Sequence, residues 1–156
     1  MKKVKLLYRL LIFINLATFV LIVTQIFGLV IPDIVNSSQT KNHALGAFNN
    51  LILTGLLSVI LMGSFKIQQG IKHIIKDGFF NRISELKFRK AGLIFVGFAL
   101  LRTAYIILAR NEFKLNELIN SFIMAFLVVL VGMGLLIFSD FIKNGGVIKE
   151  ENDLTI

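Results

Sequence analysis

SFKIQQGIKHIIKDGFFNRISELKFRK, residues Ser64–Lys90, lies between two long apolar runs and decides how the chain is threaded. It carries Lys66, Lys72, Lys76, Arg82, Lys87, Arg89 and Lys90, seven of the chain's seventeen basic residues, against only Asp77 and Glu85. No longer segment of the chain resists burial in hydrocarbon, where a charge at mid-depth costs about 3 kcal/mol or more. The apolar sequence on either side can be oriented from it.

Working outward, residues 44–65 read as a second membrane span and residues 10–31 as a first, behind a basic start of Lys2, Lys3, Lys5 and Arg9. A signal peptide also opens on basic residues, but its apolar core is shorter and ends at a small-residue cleavage site. The first run instead has the roughly twenty residues that crossing about 30 Å of hydrocarbon requires. It ends at Pro32-Asp33. On the other side, residues 91–109 form a third span, interrupted by Arg102, and residues 118–142 a fourth. Short polar loops at 33–43 and 110–117 and a polar tail at 143–156 complete the chain. Composition agrees: of 156 residues 56% are apolar and 17% charged, with a mean hydropathy of +0.81. Soluble domains carry nearer a quarter charged residues. The length suits one domain, and without Cys the chain has neither a disulfide framework nor a thiol site.

Lys and Arg concentrate in the cytoplasmic loops of membrane proteins. With the N-terminus inside, the inner segments hold thirteen basic residues and the outer loops three, Lys41, Arg110 and Lys114. The expectation is therefore an all-α, integral membrane four-helix bundle with both termini and loop 66–90 in the cytoplasm. The net charge of +8 sits beside apolar runs. It reads as attraction to anionic lipid heads, about 1 kcal/mol per Lys or Arg, and not as a nucleic-acid surface. Within the loop, Ile67, Ile71, Ile74, Ile75 and Phe79 form a helical stripe. The stripe predicts an amphipathic helix lying in the membrane interface, stopped by Gly78, with Asn81 or Ser84 capping the next helix. The alternative is that it simply continues the second span.

Polar side chains inside spans normally face the bundle interior. Asn15, Thr18, Ile22 and Gln25 share one face of the first span. Gly46, Asn50, Thr54 and Ser58 share one in the second, beside Gly55 and Gly63, and Ser121, Ala125, Gly132 and Ser139 form a seam in the fourth. Seams of this kind let membrane helices approach closely. Arg102, about 10 Å below the outer surface by helical rise, falls near the level of Gln25, Asn49, Asn50 and Asn120. It reads either as a small outer pocket for an anionic group or as an internal clasp or snorkelling side chain. His43 and His73 fall on opposite sides of the membrane and cannot share a metal. No phosphate loop, metalloprotease motif or nucleophile elbow occurs, so neither an enzyme nor a cofactor is expected.

The tail runs through Gly145-Gly146 to Glu150, Glu151, Asn152, Asp153, Leu154, Thr155 and Ile156. Read alone, it is a Gly-Gly break followed by a solvated end. That ending after a fourth span resembles the terminal signature of the bacterial membrane family catalogued as domain of unknown function 2975. Ile75-Lys76-Asp77-Gly78-Phe79-Phe80-Asn81, followed by a basic helix and Ala91-Gly92, resembles the same family's loop, with Phe79 where many members carry Pro. The resemblance implies a four-span inner-membrane protein with no assigned activity. It also implies a partner, a small helix-turn-helix regulator of the Cro/C1 type, since relatives are often encoded beside one.

The expected function is a regulatory or sensory membrane partner acting through the basic loop and acidic tail. The alternative is a small transport, channel or immunity-type protein using the level of Arg102. A homo-oligomer is compatible with either, and anionic lipid is expected at the basic residues. Reporter fusions should place Asp77 and the C-terminus in the cytoplasm and His43 outside; a C-terminal reporter active outside would overturn this threading.

Overall fold

The computed structural model describes residues 2–30, 43–109 and 115–154. They form four helices, α1 (Lys2–Val30), α2 (His43–Asp77), α3 (Arg82–Ala109) and α4 (Leu115–Leu154). Each contains a stretch long and apolar enough to cross a membrane, so the chain is a multi-pass membrane protein of helical architecture. α1 packs on α2, α2 on α3 and α3 on α4, neighbours running antiparallel.

Two helices are longer than a membrane needs. α2 has 35 residues and α4 has 40. At 1.5 Å per residue these are about 52 Å and 60 Å, against roughly 30 Å of hydrocarbon. The excess lies at the basic end. Of the two readings of residues 66–77, the continuation of the second span is the one found: they continue α2, 82–90 begin α3, and only 78–81 lie between, which corrects the loop expected over 66–90. Residues 143–154 continue α4 straight through Gly145-Gly146, so that pair does not break the helix.

The reversal between α2 and α3 follows the expected chemistry. Gly78 adopts φ +91°, the left-handed region that ends helices at little steric cost when no Cβ is present. Asn81 then caps α3: its Oδ1 accepts from the Ser84 amide at 2.7 Å, and its Nδ2 donates to the Gly78 carbonyl at 2.6 Å. Phe79 and Phe80 fold back onto α4, with ring centroids 5.8 Å between Phe79 and Phe138 and 6.0 Å between Phe80 and Phe141. The turn is thereby fixed to a helix distant in sequence.

The apolar core lies at this end. Ile71, Ile74, Phe88 and Ile142 are buried together, and Val4, Tyr8 and Leu11 pack against them, so all four helices meet here. These residues interleave with Lys72, Lys76, Lys87, Arg89 and Lys90. The charges hold the segment at the water interface, where burying apolar surface is favourable, at about 25 cal/mol per Å².

Deeper in the spans, small residues set the spacing. A Cβ on Gly92 would lie 2.7 Å from the Gly132 carbonyl oxygen, and one on Gly132 would lie 3.0 Å from that of Gly92. α3 and α4 thus touch backbone to backbone. Gly63 faces Phe95 and Gly70 faces Phe88, which brings α2 close to α3. Gly92→Ala or Gly132→Ala is expected to force the helices apart and cost about 1–3 kcal/mol. Gly97→Ala, with no heavy atom within 4 Å of its Cβ, should be neutral or gain up to about 1 kcal/mol. Detergent-titration unfolding midpoints of the three variants measure the difference.

Candidate functional site

Three side chains tie the helices one pair at a time. Asn15 Nδ2 of α1 donates to Gln68 Oε1 of α2 at 2.5 Å. Ser84 Oγ of α3 donates to the Gly70 carbonyl of α2 at 2.8 Å, and Ser139 Oγ of α4 donates to the Glu85 carbonyl of α3 at 3.0 Å. Ser84 and Ser139 are fully buried, and Asn15 is nearly so. The face Asn15–Ile22 of the first span and the seam Ala125–Gly132–Ser139 of the fourth pack as expected.

The second span does not. Its buried stripe runs through Gly63, Ser64, Gly70, Ile71 and Ile74, while Gly55 and Ser58 are exposed. Thr54 and Ser58 return their hydroxyls to the carbonyls of Asn50 and Thr54, so their polarity is satisfied without a neighbour.

Around Arg102 no bonds join the candidate residues among those described. Arg102 is half-buried and, among the described residues, makes no hydrogen bond or ion pair. Gln25 and the Asn50 side chain are half-exposed, Asn120 is exposed, and none of them bonds another or Arg102. The side chain of Asn49 lies outside the described residues. The cavities between α1 and α2 and beside the α2–α3 turn are lined by other residues. His43 is the first residue of α2, while His73 Nδ1 lies 2.8 Å from Asp77 Oδ2 one turn along the same helix.

Residues from the loop and the tail come together instead. Arg82, Glu85 and Arg89 of α3 and Lys143 and Glu150 of α4 line one cavity of about 450 Å³, floored by Phe80 and Ile142. Lys72, Lys76, Arg82, Arg89 and Lys90 are exposed, and Lys66 and Lys87 half-buried. Beyond the turn α4 carries exposed Glu150, Glu151, Asn152 and Leu154, with Val147 and Ile148 exposed beside them. Asp153 lies in the helix with its side chain outside the described residues, as are Thr155 and Ile156 altogether. The basic end thus presents exposed cations of α2 and α3 and, beside Arg82 and Arg89, the end of α4 with its exposed acidic and apolar residues.

Sequence reasoning missed Gln68, Gly70 and the second role of Ser84, which serves α2 through its hydroxyl as well as receiving the cap. A signal existed in the α2 spacing Gly63–Gly70–Ile74, which shares a helix face with Ile67 and Ile71. The division of residues 66–90 as a loop hid it. Ser84→Ala should cost about 1 kcal/mol by removing the interhelical hydrogen bond to the Gly70 carbonyl. Arg102→Leu, which removes no bond among the described residues, should accumulate like the parent chain and unfold within about 0.5 kcal/mol of it. Detergent-titration midpoints and membrane yields read both.

Comparison with family models, with curated proteins and with solved structures finds no match for this chain.

Proposed function

We propose that this chain is a regulatory or sensory protein of the bacterial inner membrane whose cytoplasmic face engages a soluble protein partner. The observation that carries the reading is the helical continuation of α4 past the α2–α3 turn. Phe80 lies against Gly145, so the helix from Gly146 to Leu154 extends beyond the turn by about 13 Å at 1.5 Å per residue. No membrane crossing needs that length.

Its chemistry suits a partner more than solvent alone. Val147 is 48% and Leu154 86% exposed, seven residues apart on one face of a helix that also bears Glu150 and Glu151. An apolar strip on an exposed amphipathic helix is the form in which helix-in-groove recognition works. Acidic neighbours would steer a basic protein toward it. A small helix-turn-helix regulator, basic because it contacts phosphates, meets both demands and agrees with the family resemblance. On this reading the cations around the hairpin hold the platform against anionic lipid, and the tail does the recognising. The transport or immunity reading through Arg102 has no bonded cluster among the described residues to support it.

The test is recovery of a co-expressed helix-turn-helix regulator on the tagged, full-length protein in detergent. Removing residues 146–156 should abolish recovery, and the double substitution Val147→Ser, Leu154→Ser should reduce it at least tenfold with membrane yield unchanged. Undiminished recovery from either variant, or none from the parent chain, would overturn the proposal. Substrate flux persisting in the truncated protein and lost in Arg102→Leu would establish the transport reading in its place.

A further inference from the structure

A second feature of the basic end lies on the opposite flank of the molecule, between α1 and α2. Two cavities open there, one of about 530 Å³ and one of about 430 Å³, and Ile12 lines both, so they adjoin along the same helix pair and are taken together as one groove. The two parts differ in chemistry. The deeper part is walled by Leu16, Phe19, Leu61, Met62 and Phe65, with Lys66 the single charged residue in its lining. The shallower part is walled by Lys5, Arg9 and Lys72, with the Tyr8 ring between them, and has no carboxylate in its lining. The acid one turn beyond Lys72 on that helix, Asp77, faces His73.

We propose that this groove is the binding site of an anionic phospholipid, its phosphate held by Lys5, Arg9 and Lys72 and one acyl chain lying along the apolar part. Three arguments converge. The charge is complementary to a phosphodiester and is uncompensated within the groove. Arg9 supplies a planar fork suited to two phosphate oxygens, and the flanking lysines supply point charges. The polarity also changes along the groove in the order a lipid demands, with cations at the end of α1 that precedes its apolar run and apolar walls where hydrocarbon lies. Finally, the length fits: from Lys72 to Ser58 along α2 is about 21 Å at 1.5 Å per residue, more than the roughly 15 Å depth of one hydrocarbon leaflet.

Asn15 adds a specific detail. It lines the deep part, donates to Gln68 across the same helix pair, and its Oδ1 is buried without a hydrogen-bond partner. The floor of the groove is therefore the one side-chain hydrogen bond between α1 and α2 among the described residues. A lipid seated there covers that bond on its membrane side. It also bridges cations of both helices, so that α1, which of the four helices shares the fewest buried apolar residues with the core, is held to α2 partly through the lipid.

The experiment uses the full-length protein reconstituted in nanodiscs of phosphatidylcholine with one-fifth phosphatidylglycerol. After extraction in detergent, retained lipid is counted by native mass spectrometry. The parent chain should retain phosphatidylglycerol over phosphatidylcholine at least fivefold above their input ratio. The triple substitution Lys5→Gln, Arg9→Gln, Lys72→Gln should abolish that preference. Leu16→Trp, which fills the apolar part and leaves every cation in place, should lower total retention at least threefold. Lys143→Gln with Lys149→Gln, removing two cations outside the groove, should change neither.

Equal loss in the Lys143/Lys149 control would show general surface attraction and overturn the site. Retention unaffected by Leu16→Trp would show a headgroup contact without a chain in the groove and also overturn it. Displacement of the retained lipid by millimolar inorganic phosphate would identify a free-phosphate site instead. Circular dichroism of each variant confirms that helix content is kept, and a variant that loses helix is replaced by the single substitution Arg9→Gln, for which at least a twofold loss of preference is expected.

Discussion

Inside hydrocarbon a helix gains nothing by exchanging lipid for leucine, so the helices must be held by what lipid cannot offer. In this chain that is a hydrogen bond at every sequential interface. Asn15 reaches Gln68, Ser84 reaches the Gly70 carbonyl, and Ser139 reaches the carbonyl of Glu85. Each such bond is worth only about 0.6–2 kcal/mol in a membrane. Its larger effect is on register, because sliding one helix by a residue would strand a buried hydroxyl. Gly92 against Gly132 supplies the close approach that lets those short side chains span the gap.

The three bonds lie in the half of the molecule that also holds Ile71, Ile74, Phe88 and Ile142. At the basic end, water is near enough for ordinary hydrophobic burial to contribute, and that is where the apolar cluster of the described residues lies. Toward the far end the described spans bury fewer large side chains, and Leu100, Leu101 and Leu108 face outward as lipid-contacting residues do. Two driving forces thus divide the molecule, and both are strongest near the hairpin.

How much of this was legible follows from the same division. The number of spans and their order could be read because twenty apolar residues announce a crossing whatever their neighbours do. The stop at Gly78 and the cap at Asn81 could be read because they are local chemistry. The length of α4 could not, and that of α2 only as one of two alternatives. Hydropathy marks where hydrocarbon ends, and the helix does not end there: Lys66 to Asp77 and Lys143 to Leu154 are polar enough to leave the membrane and remain helical through tertiary contacts. The seam of the fourth span was visible as Ala125, Gly132 and Ser139. The corresponding seam of the second was mistaken for Asn50–Ser58, since hydroxyls bonded to their own helix look identical in sequence to hydroxyls reaching across. Arg102 drew notice as a charge in a span, yet spacing could not show whether neighbouring amides would meet it.

Gly145-Gly146 shows how the two recognisable motifs of the chain depend on one another. A glycine in a helix interior costs about 1 kcal/mol relative to alanine, so two in succession should end α4 near the membrane surface. The helix continues because the Phe80 ring occupies the space a Cβ at Gly145 would need, while Phe79 and Phe80 both stack on Phe141. Contacts between such rings are worth about 0.5–1.5 kcal/mol each beyond their buried area, enough to offset the glycines. The hairpin tip therefore supports the tail helix, and the tail in turn covers the aromatic side of the tip. Basic loop and acidic tail, which sequence presents as separate features of opposite charge, are two sides of one contact whose centre is neither acidic nor basic but a phenyl ring seated on a glycine.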